Sequence, residues 1–228
     1  AAGFAIAERM TAQVRGLNMA AKNASDGLSM LATIENATND VTDMLHRMRE
    51  LAVQAANDTN GATDRGYLQT EVTALIAEID RVSSDTKYNG TAVLDGTFTT
   101  KKLQVGTEAS QTITFSVDGV SASALSVDAV SVSSQAGATA ALTAISTAIE
   151  AVASDRATYG ALQNRLEYTV SNLMNVSEFT QAARSRIEDA DFAAESARLS
   201  KAQVLQQTGT AMLAQANASQ QLALSLFR

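Results

Sequence analysis

The chain has no cysteine, no proline and no tryptophan, one histidine in 228 residues, and aromatic side chains at only 4% of its positions. Without cysteine there is no disulfide framework and no thiol nucleophile. A lone histidine cannot furnish a zinc or haem ligand set, so those enzyme classes are excluded and no cofactor or metal is expected. The missing cysteine does not fix the compartment, because it suits a reducing cytosol and an exterior alike. Apolar residues make up 46% of the chain, but alanine rather than large side chains dominates them. A thick globular core is therefore out of reach, while helices that approach closely are favoured. The 17 basic residues face 24 acidic ones, a formal net charge of −7. With no basic cluster to displace condensed counterions, nucleic acid is not an expected partner. The opening Ala1-Ala2-Gly3-Phe4-Ala5 lacks methionine and any basic-then-apolar leader pattern, and it starts inside a helical repeat. That reads as a chain truncated at its N-terminus.

What is present is helical periodicity. Met10, Val14, Leu17, Ala21, Ala24, Leu28 and Leu31 recur at alternating steps of four and three, and after a short step to Ile34 the seam resumes through Val41, Leu45, Met48, Ala52 and Ala55. This heptad pattern predicts one helix to about residue 56, extending about 80 Å and crossing Gly16 and Gly27 without a proline break. Asn57 to Thr63, with Asn60-Gly61, carries the turn chemistry to reverse the chain. A second helix over 64–85 follows from Leu68, Val72, Leu75, Ile76, Ile79 and Val82, and it should stop before Tyr88-Asn89-Gly90, where glycine accepts a positive φ. From Leu142 the seam returns through Ile145, Ile149, Val152, Tyr159, Leu166, Val170 and Leu173, with the polar Arg156 and Gln163 at seam positions. Such residues set register when buried, although an arginine stem can also lie along a seam with its head in water.

The stretch between these helices is different in kind. Lysine and arginine disappear after Lys102, and alternation replaces helical periodicity, with Ile113, Phe115 and Val117 on one side, Thr112, Thr114 and Ser116 on the other, and Asp118-Gly119 as a turn signal. A small antiparallel β element is predicted; an unstructured Ser/Thr-rich insert fits the same composition. Near the C-terminus, Ser185-Arg186-Ile187-Glu188 fits a capping box, with Asp189 and Asp191 where a helix start favours negative charge, so a last helix should begin there. From Ala202 to Phe227 there is no charged residue, yet Gln203, Gln206, Gln207, Gln215, Asn217, Gln220 and Gln221 interrupt the apolar ones. That many amides argue against membrane insertion, and a free helix would carry charge on its outer face. The tail suits a helix surrounded by other helices. The predicted fold is thus mainly α: an elongated rod of long antiparallel helices, coiled-coil-like, with the β element in its middle. Its parts are a helical segment over 1–96, a Ser/Thr-rich insert over 97–138, a rod helix over 139–184 and a tail helix over 185–228.

Several collinear motifs carry a family resemblance. Ala1-Ala2-Gly3-Phe4-Ala5-Ile6-Ala7-Glu8-Arg9, Arg15-Gly16-Leu17-Asn18 and Asn23-Ala24-Ser25-Asp26-Gly27 resemble the N-terminal conserved region of bacterial flagellin. Arg47-Met48-Arg49-Glu50-Leu51-Ala52-Val53-Gln54, Glu78-Ile79-Asp80-Arg81-Val82, Tyr88-Asn89-Gly90, Ser185 to Asp191 and the closing Leu224-Ser225-Leu226-Phe227-Arg228 resemble the same family. The likeness covers 1–96 and about 140–228.

The resemblance implies a structural, non-catalytic subunit that polymerises with copies of itself into the flagellar filament for motility. Such a subunit is secreted unfolded through the flagellar type III channel to an extracellular filament. It implies that helices 1–56, 64–85 and 139–180 form a rod domain of the inner tube and that 187–228 joins the innermost tube. The family's opening segment, which pairs with that tail, is missing, so weak assembly and a disordered or intermolecularly packed last helix are expected. The tail face of Leu205, Met212, Leu213, Leu222 and Leu226 is the implied surface for self-assembly and for the flagellin export chaperone. The family likeness also implies recognition by the Toll-like receptor for flagellin through Arg47, Glu50, Leu51 and Glu71. His46 departs from the glutamine of the family pattern there, and Arg47 with Glu50 also has the spacing of a plain solvated ion pair. Serines and threonines over 97–136 are places where glycans would attach.

Other readings compete. A hook–filament junction protein shares helical termini, but the Ser185–Asp191 motif and the Leu224–Arg228 ending favour the filament. A chemoreceptor-like rod would need a membrane span and gives no reason for the uncharged tail. An enzyme built on Glu188, Asp189 and Asp191 as paired carboxylates is explained more simply by charges at a helix start. A non-polymerising surface protein that binds a glycan through the insert is the remaining alternative.

Overall fold

The computed structural model describes residues 2–189 and 192–225. Asp191, Leu226 and the Phe227-Arg228 end therefore lie outside the described residues. In chain order the elements are α1 (Ala2–Ala56), α2 (Ala62–Asp85), β1 (Lys87–Tyr88), β2 (Thr91–Ala92), β3 (Lys101–Gln104), β4 (Thr112–Phe115), α3 (Gln135–Glu188) and α4 (Phe192–Ser225). The chain divides into two units, one of residues 12–178 and one joining 1–11 to 179–228.

In the larger unit α1 and α3 run antiparallel, as their polar cross-links show: Ser177 donates to Asn18 Oδ1 (2.8 Å), Gln163 to Glu35 Oε2 (3.0 Å) and Arg49 to Ser146 Oγ (3.3 Å). Each step forward on α1 meets a step back on α3. The heptad seam lies between them and α2. Leu31, Ile34, Val41, Leu45, Met48, Val72, Ile79, Ile145, Val152 and Leu166 are all fully buried. Alanines at Ala24, Ala52, Ala55, Ala138, Ala141 and Ala148 fill the same core and let the helices come close. Gln163 is thus a register pin, while Arg156 is half-buried with its Nε enclosed. By length and hydropathy α3 contains a window able to cross a membrane. Its Ile145, Val152 and Leu166 are instead part of this core.

The residues between α2 and α3 belong to the core rather than to a separate outer lobe. Two hairpins form: β1 pairs with β2 (Lys87 opposite Ala92, Tyr88 opposite Thr91), and β3 with β4 (Lys101 opposite Phe115, Gln104 opposite Thr112). The alternation expected at 112–117 is real, since Ile113 and Val117 are buried and Thr114 is exposed. The hairpin turn, however, lies upstream of β4, and Asp118-Gly119 begins the irregular run that follows. That run buries Val120, Ala122, Leu125, Val127 and Val132. It is held from α2 by side chains that accept its backbone N–H groups, Asp80 from Ala122 (2.8 Å) and Gln69 from Val132 (2.6 Å). From α3, the Tyr159 hydroxyl accepts from the Asp118 N–H (3.3 Å).

In the smaller unit, Arg184 donates to Thr11 Oγ1 (3.2 Å) and approaches Glu188 (3.5 Å). A helix start was expected at Ser185, but α3 continues to Glu188. Ser185 bonds Asp189 four residues on, and the Asp189 N–H donates to the Ser185 carbonyl (2.8 Å). The Ser-x-x-Glu spacing therefore sits in a last helical turn, and α4 starts beyond it.

Candidate functional site

Arg47 projects from α1 toward α2, donating from Nε to Glu71 (2.7 Å) and from Nη1 to Glu50 on its own helix (2.9 Å). The three side chains remain substantially exposed, Arg47 at 49%, Glu50 at 67% and Glu71 at 44%. The bonds to Glu71 and then Glu50 push the Arg47 pKa above its ordinary value, so the guanidinium is charged at every accessible pH. Leu51 is 1% exposed and belongs to the core. Of the sequence-predicted receptor residues, three form one surface network and the fourth, Leu51, is buried in the core. His46, Arg49, Glu50 and Val53 line an open cleft along the adjoining face of α1.

The network depends on a residue that sequence patterning missed. Arg65, at the start of α2, is largely buried and donates to the carbonyls of Ala55 (2.7 Å) and Asn57 (3.0 Å). The last carbonyls of a helix have no partner within it; here α2 supplies one and fixes the turn that places Glu71 beside Arg47. The only sequence signal was a basic residue just after a turn, which is common.

The second candidate surface is α4. Every side chain described in it, from 195 to 219, is exposed. Leu199, Val204, Leu205, Met212 and Leu213 each leave more than half their area open, at 61%, 56%, 61%, 70% and 65%. Leu222 lies on α4, where only the backbone is described, and Leu226 lies beyond the described residues. The remaining carboxylates are occupied locally, Glu188 by Arg184 and Asp189 by Ser185. Among the described residues no group of three or more metal-ligating side chains gathers.

Comparison with known proteins accounts for this arrangement. Residues 1–99 match the bacterial flagellin N-terminal helical region and residues 142–227 the bacterial flagellin C-terminal helical region. A flagellin of Halalkalibacterium halodurans is 43% identical over 230 residues, covering 100% of this chain and 85% of its own. The flagellar filament 33 kDa core protein of Treponema phagedenis is 40% identical over 244 residues, with coverage of 100% and 85%. Among solved structures, Bacillus cereus flagellin superposes with a TM-score of 0.60 at 34% identity, over 67% of this chain and 88% of that one. The chain belongs to the bacterial flagellins, a family of structural, non-catalytic subunits of the flagellar filament.

Proposed function

We propose that this chain polymerises with copies of itself into the extracellular flagellar filament through α4, and that the Arg47 network is read by the innate immune receptor for flagellin. The observation that carries the first part is α4 itself: a helix without a charged residue after Lys201 whose large apolar side chains face outward. Such a helix gains stability when neighbours cover it. Leu205 and Met212 stand a heptad apart, and with Leu213 they give a stripe that like helices can share. The same stripe suits the export chaperone before secretion, which would keep it from associating early.

The test is seeded polymerisation followed by sedimentation and electron microscopy, using sheared filaments and the variant carrying both Leu205→Asp and Leu213→Asp. Filament growth from the parent chain and none from the variant, at equal melting temperature, is the expected result. Equal growth from both would remove α4 from the assembly.

Receptor recognition is supported by a different feature, a compact charged surface of Arg47, Glu50 and Glu71 on helices whose core includes the buried Leu51. Arginine is enriched at interface hot spots, and this one is held in place by Glu71 and Glu50. Arg47→Ala should lower receptor activation about tenfold or more in a reporter cell while leaving helicity unchanged. An unaltered dose–response curve would rule the site out.

A further inference from the structure

The chain contains two Asn-Gly pairs, Asn60-Gly61 and Asn89-Gly90, and the fold treats them oppositely. Asn-Gly is the dipeptide in which side-chain deamidation is easiest, because glycine offers no side chain to block attack by its own backbone nitrogen. At Asn60 both reacting groups are tied down. The side-chain amide donates to the Gln54 carbonyl (2.5 Å), and the Gly61 N–H donates to Asp64 Oδ2 (3.0 Å). A carboxylate is far too weak a base to strip an amide proton. Its charge also opposes formation of an anionic nitrogen beside it. Gly61 is further held at the start of α2, where its carbonyl accepts from Arg65 (3.1 Å).

At Asn89 nothing of the kind exists. Asn89 and Gly90 are the two central residues of the β1–β2 hairpin, at φ of 50° and 78°, the signature of a type I′ turn. Both are exposed, the Asn89 side chain has no hydrogen-bond partner among the described residues, and a Cβ built on Gly90 would meet nothing within 4 Å. The pair sits at the tip of strands only two residues long, and such short pairing opens locally at little cost.

We propose that Asn89 is a deamidation site of this protein and that Asn60 is protected. The Gly90 nitrogen, on losing its proton, attacks Asn89 Cγ. The bond from Cγ to the side-chain nitrogen breaks, ammonia leaves, and a five-membered succinimide remains. Water then opens either imide carbonyl, giving aspartate or, through the other, isoaspartate; water is consumed, ammonia released, and no oxidant is needed. The two products differ in consequence. Aspartate is accepted in a type I′ turn, whereas isoaspartate routes the backbone through an extra carbon and cannot keep Tyr88 opposite Thr91. The loss would reach α1, because the Tyr88 hydroxyl donates to the Asp26 carbonyl (3.2 Å).

The experiment is incubation of the intact protein at mildly alkaline pH, followed by peptide mapping with mass spectrometry and a parallel sample held in denaturant. In the folded protein the Asn89 peptide should gain about one dalton and split into two chromatographic species, while the Asn60 peptide stays unchanged. In denaturant both should convert at similar rates. Equal or faster conversion of Asn60 in the folded protein would overturn the proposal, as would an inert Asn89 under conditions where the denatured chain reacts.

Discussion

Arg65 shows how one residue can govern a surface it never joins. Its guanidinium supplies the partner that the Ala55 carbonyl lacks and adds a second donor to the Asn57 carbonyl, which also accepts from the Asn60 N–H, and a buried carbonyl left unpaired costs about 1–3 kcal/mol. Arg65→Ala should therefore destabilise the larger unit by about that much in urea titration. Arg65→Lys should recover only part of the loss, because a single ammonium cannot bridge both carbonyls with the geometry of a planar fork. Asp155 offers a second test at this scale. Half-buried on α3, it has its pKa raised above the ordinary 3.8 first by burial and then by the charge of Asp118. Beside it, burial and then Asp155 push the Tyr159 hydroxyl up to about 12. The folded chain thus holds the Asp155 proton more tightly than the unfolded chain. Stability falls as pH rises from the unfolded value through the raised folded one, and the loss persists at neutral pH. Asp155→Asn should raise the melting temperature at pH 7 by about 1–2 °C and leave it unchanged well below the unfolded value. A melting temperature lowered at pH 7 would contradict this reading. Seam residues such as Leu31, Val41 and Leu166 were legible because heptad spacing is a local signal. Arg65, Asp80 and Gln69 were not, because what they do is decided by backbone groups outside their own helix, across a turn for Arg65 and 42 and 63 residues away for Asp80 and Gln69.

At the scale of elements, the β3–β4 hairpin lies against α1 along one face. Asn23 donates to the Gln104 carbonyl (3.1 Å), and a Cβ on Gly27 would stand 2.6 Å from Leu103 Cδ1 and 3.5 Å from Leu166 Cδ1. The glycine is therefore a notch, and the helix carries its unfavourable propensity because the hairpin needs the space. Alanine there would weigh a helix gain against a shift of the flexible Leu103 tip. Valine, with two further methyl groups, cannot be absorbed. Gly27→Val should cost about 1–3 kcal/mol, with hydrogen exchange rising selectively over 101–115. Exchange that rises evenly through α1 and α3 would mean that the notch serves the helix seam instead. The strand at 112–115 was readable from its alternation. Its partner β3 was not, since Lys101 and Lys102 are exposed and only Leu103 and Gln104 turn inward. Nor was the fate of the run after Val117: serine, valine and alanine in irregular order carry no period, so their burial follows only from the helices that cover them. The helix start misplaced at Ser185 has the same origin, since a Ser-x-x-Glu spacing satisfies an N-terminus or an interior turn equally well until the backbone decides.

Taken whole, the molecule combines two kinds of helix whose stability comes from different sources. Residues 24–56 of α1 are fixed by a continuous core of Ile34, Leu45, Met48 and their partners on α2 and α3. In α4 the described side chains bury nothing. Its only ion pair among the described residues is Glu195 with Arg198 at 3.6 Å, and Gly209 interrupts it with open space around. A helix held by propensity alone is marginal in water, and an interior glycine removes about 1 kcal/mol more. The monomer should therefore show two tiers of hydrogen exchange. Amides over 195–219 should exchange at least about a hundredfold faster than those over 24–56, because their opening free energy is local while the core's approaches the global value. If outward-facing leucines and glutamines are there to be covered by other copies, polymerisation must close that gap. Amides of α4 in sedimented filaments should then approach the protection of the α1 core. Fast exchange that persists in the filament would show that α4 stays uncovered there and that contacts elsewhere hold the subunits together. Slow exchange already present in the monomer would show that α4 draws stability from within its own chain.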